Sequence, residues 1–410
     1  MFMDILKERW QGWRERTSFW HKGQSHDYAW LLNCLEGHHQ NSRTTVINVC
    51  DGNPHRIEWL LSLMDSKAVV GLSDERNVVA RGRIMDTPHP LLGQLRASGH
   101  AGLVLFSSGT TGEPKAVLHD FERLGSRFLT LRSAGTTLLF LPLDHIGGVD
   151  TMLHVLSGGG TLVIPTDRSP DTICQAVEDH RVTLLPTTPA FLNLLMASGA
   201  HKRHDLSSLK TVTYGAARMP ETLLARCQEE MPDVKFVQKY GTSETSTLRA
   251  KTDGLWMQLN HSWRVNVDGV LEVKVETSML GYLNAPSPFT EDGWYVTGDR
   301  VEVDGNRVHV LGRDGDLINV GGEKVDPAQV EAVLCSFPGV LDAVVWGEPN
   351  TILGQVPVAR VQTADGFIGE VEVQRLMEWC FNRLPRHAIP MRWECTKEPL
   401  TDERGKKVRR

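Results

Sequence analysis

Nine consecutive residues, Ser107-Ser108-Gly109-Thr110-Thr111-Gly112-Glu113-Pro114-Lys115, follow the apolar run Leu103-Val104-Leu105-Phe106 and carry chemistry suited to a polyphosphate. Glycines let backbone amides approach phosphate oxygens, the Ser and Thr hydroxyls add donors, and Lys115 supplies a positive charge. The same residue types also build plain surface turns, but nine positions of this chemistry directly after a buried strand favour a phosphate grip. A Walker loop is excluded, because that motif opens a helix with Gly-Lys-Ser/Thr. Here Pro114 separates Glu113 from Lys115, and Ala116 follows.

Further stretches of the same character lie downstream. They are Leu141-Pro142-Leu143-Asp144-His145, Tyr214-Gly215-Ala216-Ala217, Tyr240-Gly241-Thr242-Ser243-Glu244-Thr245, Gly293-Trp294-Tyr295-Val296-Thr297-Gly298-Asp299, Gly312-Arg313, Ile318-Asn319-Val320-Gly321-Gly322-Glu323-Lys324-Val325 and Gly405-Lys406. In this order they resemble the adenylate-forming superfamily, which includes acyl-CoA synthetases, the adenylation domains of nonribosomal peptide synthetases and firefly luciferase. The resemblance covers roughly residues 100 to 410 and fades before them. It implies an N-terminal subdomain that is trimmed relative to most members, as in the shorter aryl and o-succinylbenzoate CoA ligases.

Each motif has a physical reading beside the resemblance. Asp299, in a tight turn, is an acceptor suited to the two hydroxyls of a ribose; alone, it would be read as a turn cap. Tyr240 can stack on a purine, and Gly215, Ala216 and Ala217 are small enough for a flat base to lie against the backbone. Glu244 can hold Mg2+ through a carboxylate oxygen, and Thr242 next to Gly241 can donate to phosphate. Lys406 can bridge an attacking carboxylate and the α-phosphate, offsetting the repulsion between two anions. Its plain alternative is one more charge in the basic tail 404–410, and the extra residue between Thr401 and Gly405 leaves Lys407 as the fallback.

The remaining roles rest on the resemblance. It implies that Arg313 touches ribose or phosphate, that Asp316 is a hinge pivot, and that His145 closes or gates an acyl pocket. It also implies that Lys324, with Gly321 and Gly322, serves the second half-reaction, in which a thin phosphopantetheine arm reaches the acyl group. A satisfied core histidine and a surface turn with an incidental lysine are the alternatives for His145 and Lys324. The expected activity is ATP-dependent activation of a carboxylic acid through an acyl-adenylate, then transfer to the thiol of coenzyme A or a carrier protein's pantetheine. Transfer to another nucleophile and a non-catalytic binding scaffold are the rival readings. No charged residue can be assigned from sequence to the far end of the acyl pocket, so a simple aryl or fatty acid is expected rather than an amino acid.

The elements that must position these groups follow from periodicity. Short apolar runs at 46–49, 103–106, 137–141, 161–164, 183–185, 211–214 and 235–237 alternate with helical patterns such as 56–64 and 190–197, which predicts α/β layers with parallel strands. After Gly254 the pattern changes to alternating strands at 270–275, 301–303 and 308–311, a small β-rich unit. From 314 onward, a helix over 327–337, a strand over 343–346 and a helix over 370–384 predict an α+β lid. The expected division is 1–312 for the large domain, 313–316 for the hinge and 317–410 for a mobile lid. The opening segment, with Ile5, Trp10, Trp13 and Trp20, is expected to form an amphipathic helix packed on the body.

Composition narrows the class. A net charge of −6 argues against nucleic acid as partner. No charge-free apolar run supplies a signal peptide or the roughly 20 residues of a membrane span, so a cytoplasmic location is expected. Seven dispersed cysteines without a Cys-x-x-Cys pair read as reduced thiols, and the sixteen histidines form no zinc pattern. Expected partners are a small carboxylic acid and, with their identity left open, an acyl or aryl carrier protein and a second copy in a homodimer.

Overall fold

The computed structural model describes residues 1–37, 44–49, 52–107, 114–313, 317–363, 370–401 and 407. Two sheets build the larger part. The first has seven strands in the order Lys235–Gln238, Thr211–Tyr214, Leu184–Thr187, Thr136–Leu138, Thr161–Ile164, Thr17–His21, Gln24–Asp27, and only the last pair is antiparallel. The second orders Gly281–Tyr282, Lys115–Asp120, Gly102–Ser107, Val69–Ser73 and Thr44–Asn48. Its strands read as unbroken apolar runs because both faces are covered, as Leu103, Val104, Leu105 and Phe106 show by being buried in succession.

Helices Phe2–Gln11, Tyr28–Gly37, Pro54–Asp65 and Ile146–Ser157 share one core with strand residues from both sheets, among them Ile47, Leu103, Leu105, Phe19 and Leu162. Local chemistry starts the helices that support the strand ends. Ser169 accepts from the amide of Thr172 and Thr188 from that of Phe191, each followed by a proline in the first turn. A six-stranded antiparallel sheet follows, in the order Ala250–Asp253, Trp256–Leu259, Arg307–Arg313, Tyr295–Asp304, Val270–Lys274, Ser262–Val265. Beyond it, strands Ile318–Val320, Glu323–Val325, Val340–Asn350, Gly354–Thr363 and Arg392–Thr396 form a further, five-stranded sheet. Helix Pro327–Cys335 packs there on a separate core that includes Val330, Leu334, Val345, Val361, Leu376 and Cys380.

Two details differ from the sequence expectation. The opening helix ends at Gln11 and buries Phe2, Met3, Leu6 and Trp10, whereas Trp20 lies on strand Thr17–His21. β-Branched and aromatic neighbours after the turn at Gly12 favour a strand there. The phosphate-loop sequence leads into strand Lys115–Asp120, which runs antiparallel to Gly102–Ser107 and sets Ser107 opposite Lys115. The expected all-parallel rhythm therefore breaks at the loop, and a hairpin brings its two ends together. Among the described residues no helix is long and apolar enough to cross a membrane.

Candidate active site

The motifs converge where the first sheet's strands end and the antiparallel sheet begins. Asp299 and Arg313 are cross-strand partners on adjacent antiparallel strands. Arg313 Nε donates to Asp299 Oδ1 at 2.8 Å, and the Tyr240 hydroxyl donates to Oδ2 at 2.6 Å. The Thr297 hydroxyl accepts from the Asp299 amide at 3.0 Å, and Gly298, at φ +76°, makes the turn between them. Asp299 is only 8% exposed, so its charge is carried by charge-assisted hydrogen bonds rather than by water. Burial, reinforced by the Asp299 carboxylate, raises the Tyr240 phenol well above its ordinary pKa. Burial works against the Arg313 charge, but Asp299 outweighs it and raises the guanidinium. An ionised carboxylate has about four acceptor sites; the two partners leave capacity for ligand hydroxyls.

A second group forms on the hairpin through 241–247. Gly241 pairs with Thr247 and Thr242 with Ser246, and a Cβ at Gly241 would stand 2.3 Å from the Ser246 carbonyl, so only glycine fits. Thr242 Oγ1 accepts from the Glu244 amide at 3.2 Å and fixes the turn. The Glu244 carboxylate, buried, accepts from the Tyr282 hydroxyl at 2.8 Å, and Lys115 Nζ sits 5.1 Å from the centroid of the Tyr282 ring. The far end of the phosphate-loop sequence and the carboxylate read as a Mg2+ ligand are thus joined through one tyrosine. A buried carboxylate near Lys115 suits Mg2+, which is held by one or two carboxylates plus substrate phosphates.

Sequence reasoning missed three supports. Asn284 accepts from the Ala116 amide and donates to the Pro114 carbonyl, both at 2.8 Å, clamping the strand that carries Lys115. His119, buried, donates from Nε2 to the Ser243 carbonyl at 2.6 Å, and burial lowers its pKa. Tyr282 is the third. No spacing motif marks them; the one signal is the run Gly281-Tyr282-Leu283-Asn284, whose aromatic and amide groups suit a close backbone contact.

The expected base-binding turn lies at the end of strand Thr211–Tyr214. A Cβ at Gly215 would stand 2.6 Å from the Lys239 carbonyl, and Ala216 takes φ +65°, which an L-residue adopts only under constraint; Ala217 is solvent-exposed beside it. His145 precedes helix Ile146–Ser157, with Nε2 4.0 Å from Asp144 Oδ1. Gly148 lets this helix close on the chain before it, since a Cβ there would meet the Pro142 carbonyl at 2.1 Å. One turn on, Asp150 accepts from the Ser246 hydroxyl at 3.0 Å and the Thr247 amide at 2.9 Å, tying the helix to the hairpin.

Lys324 stands apart from these groups, exposed on strand Glu323–Val325 after the turn at Gly321 and Gly322. It lines a cavity of about 240 Å3 together with Arg218, Arg300, Gly312 and Asp326. Lys407 is not a free alternative to Lys406. Its ammonium lies 3.0 Å from Asp342 and 3.4 Å from Glu331 and donates to the Ala343 carbonyl, and these carboxylates raise its pKa despite burial. Ser108, Gly109, Thr110, Thr111, Gly112, Asp316 and Lys406 lie outside the described residues.

Comparison with known proteins gives the family. Residues 30–268 match the AMP-binding enzyme family and residues 329–406 the AMP-binding enzyme C-terminal domain. The chain belongs to this family. It is 31% identical over 322 residues to a 2-succinylbenzoate–CoA ligase of Bacillus cytotoxicus, an alignment covering 70% of this chain and 64% of that protein. The chain thus spans a little under two thirds of that relative's length. A feruloyl-CoA synthase of Amycolatopsis sp is 30% identical over 335 residues, 74% of this chain and 67% of the relative. The crystal structure of the anthranilate CoA ligase AuaEII in complex with anthranoyl-AMP superposes with a TM-score of 0.78 at 17% identity, over 99% of this chain and 95% of that one. The family match starts at residue 30 and the shared fold takes in the first hundred residues, so the likeness reaches further toward the N-terminus than the motifs, which begin near residue 100, lead one to expect.

Proposed function

We propose that the chain is an acid–thiol ligase that forms AMP: it activates a small carboxylic acid as an acyl-adenylate with ATP and Mg2+, then passes the acyl group to the thiol of coenzyme A or a carrier protein's pantetheine. The observation that carries this reading is the pair of buried carboxylates with their partners, Asp299 with Tyr240 and Arg313, and Glu244 with Tyr282 and, across its ring, Lys115. The first offers acceptors for a ribose, the second a cation and a metal ligand for phosphates, and Gly215 with Ala216 leaves room for a base between them.

In the first step a carboxylate oxygen of the acid attacks the α-phosphorus of ATP and pyrophosphate leaves. Lys115 and Thr242 hold phosphate oxygens, and Lys406 offsets the repulsion between the two anions; Mg2+ on Glu244 supplies additional charge neutralisation when bound. In the second step a thiolate attacks the acyl carbon and AMP leaves, with Lys324, Gly321 and Gly322 guiding the pantetheine arm and His145 at the edge of the acyl site. Residues 313–316 are the hinge about which unit 317–410 turns between the steps. The solvent-exposed position of Lys324, across a cavity from Gly312, suits that movement.

Pyrophosphate release measured with ATP, Mg2+ and a panel of aryl and aliphatic acids tests the reading. Release is expected only with an acid present, accompanied by thioester when coenzyme A or a pantetheine carrier is added. Absence of acid-dependent release across the panel would overturn it.

A further inference from the structure

Strand Gly281–Tyr282 lies at the edge of the second sheet and pairs antiparallel with Lys115–Asp120, Gly281 opposite Leu118 and Tyr282 opposite Val117. Backbone bonds extend the pairing on both sides. The Leu280 amide donates to the Leu118 carbonyl at 2.8 Å, and the Leu283 amide donates to the Ala116 carbonyl at 2.9 Å. One residue further on, a side chain takes over from the backbone. Asn284 Oδ1 accepts from the Ala116 amide and Nδ2 donates to the Pro114 carbonyl, both at 2.8 Å. A carboxamide carries the same acceptor and donor as a peptide unit, and Pro286, two residues on, has no amide proton with which to prolong the ladder.

The two bonds of Asn284 fall on the residues immediately before and after Lys115. On the opposite edge of that strand Lys115 is paired with Ser107. The backbone of the lysine is therefore held from both sides. Its ammonium lies 5.1 Å from the centroid of the Tyr282 ring, and the Tyr282 hydroxyl donates to the Glu244 carboxylate at 2.8 Å. One short stretch thus fixes the backbone of the lysine through Asn284 and borders its side chain with Tyr282. Asn284 itself is solvent-exposed. Losing it would turn two backbone groups over to water instead of leaving them unsatisfied in a core, which is the cheap way to lose a hydrogen bond. A clamp of this kind contributes little to the fold and much to where one cation stands.

We infer that Asn284 is a positioning residue for the phosphate step: by bridging Pro114 and Ala116 it holds Lys115 in place for the β- and γ-phosphates of ATP. The inference rests on the proposed ligase reading, which gives Lys115 its phosphate role.

The test measures binding of ATP with Mg2+, and separately of AMP, to the full chain by calorimetry with no acid present. Asn284→Ala is expected to weaken ATP about tenfold, the equivalent of one net hydrogen bond. AMP, which lacks the β- and γ-phosphates, is expected to bind variant and parent alike. Asn284→Ser, whose hydroxyl can serve one of the two partners, is expected to fall between them. In a Lys115→Met background, Asn284→Ala is expected to cost ATP nothing further, because the cation it positions is gone. Unchanged ATP affinity, an equal loss for AMP, or the same loss with and without Lys115 overturns the inference, the last two by showing that Asn284 acts on the fold. The Lys115-dependent loss of ATP in a chain that releases no pyrophosphate with any acid would keep the role of Asn284 and sink the ligase reading instead. A parent chain that binds no ATP overturns both.

Discussion

The two parts of the molecule treat their charges differently. In the large part, Asp299 and Glu244 are buried and held from two sides by tyrosines and an arginine belonging to other elements. In the C-terminal unit Lys407 faces inward to Glu331 and Asp342, while Lys324 is exposed on a short strand. The difference teaches that the candidate site in the large part is preorganised by its own protein partners, whereas the C-terminal unit holds Lys407 in a buried ion pair and presents Lys324 outward. A group that must arrive at the site by a movement gains nothing from being fixed beforehand.

The sharpest way to break this comparison is to remove the buried cation. Lys407→Met leaves Glu331 and Asp342, 6% and 9% exposed in their side chains, without their counter-charge. Removing one partner of a buried pair costs about 3–5 kcal/mol. Calorimetry is expected to show the C-terminal unit unfolding in a separate, lower transition, with the large part's transition in place. A single unshifted transition would mean that Lys407 carries no structural load and would return it to consideration for catalysis.

On the other side of the comparison, Asp299→Asn keeps the shape of the cradle and removes its charge. Hydrogen bonds to charged groups are worth about 1.5–3 kcal/mol, so ATP affinity measured by calorimetry is expected to fall roughly 10- to 100-fold. Unchanged affinity would show that Asp299 serves only to hold Tyr240 and Arg313.

A pH experiment probes the hairpin from beneath. Burial lowers the His119 pKa below its ordinary value near 6.5. The unfolded chain therefore takes up a proton there before the folded one does, and the stabilising contribution is full above about pH 6.5 and is lost as pH falls below it. The slope from this one group is at most about 1.4 kcal/mol per pH unit. His119→Gln keeps a donor for the Ser243 carbonyl, so urea midpoints of the variant should fall less steeply on acidification than those of the parent. Parallel curves would mean that His119 takes up its proton equally readily in the folded and the unfolded chain.

Much of this was legible in the sequence because short-range chemistry and periodicity encode it. The strands Thr161–Ile164 and Thr211–Tyr214 stand where apolar runs predict them, and Tyr240, Thr242, Glu244, Asp299 and Arg313 come together in space. What stayed hidden depends on contacts between distant residues. Asn284 meets Pro114 and Ala116 across 170 and 168 positions, and His119 meets Ser243 across 124. Trp20 looked like one more aromatic of an amphipathic helix, since a helix end at Gln11 carries no strong signal when the apolar residues continue.

The gentlest perturbation addresses the join between the two parts. Arg218, on the loop after the base-binding turn, bonds Asp326 at the start of helix Pro327–Cys335 and the Leu311 carbonyl of the strand that carries Arg313. Asp326 also caps that helix by accepting from the Ala328 amide at 2.9 Å. A partly exposed pair of this kind contributes on the order of 0.2–1 kcal/mol, enough to bias an orientation by up to about fivefold but not to fix it. Arg218→Ala should therefore leave the melting temperature of each part in place while shifting the distance distribution between labels on the two parts. Because the contact lies beside the cavity of Lys324, the thioester-forming step should respond more than pyrophosphate release. Equal effects on both steps would show that Arg218 acts on the proposed nucleotide site itself.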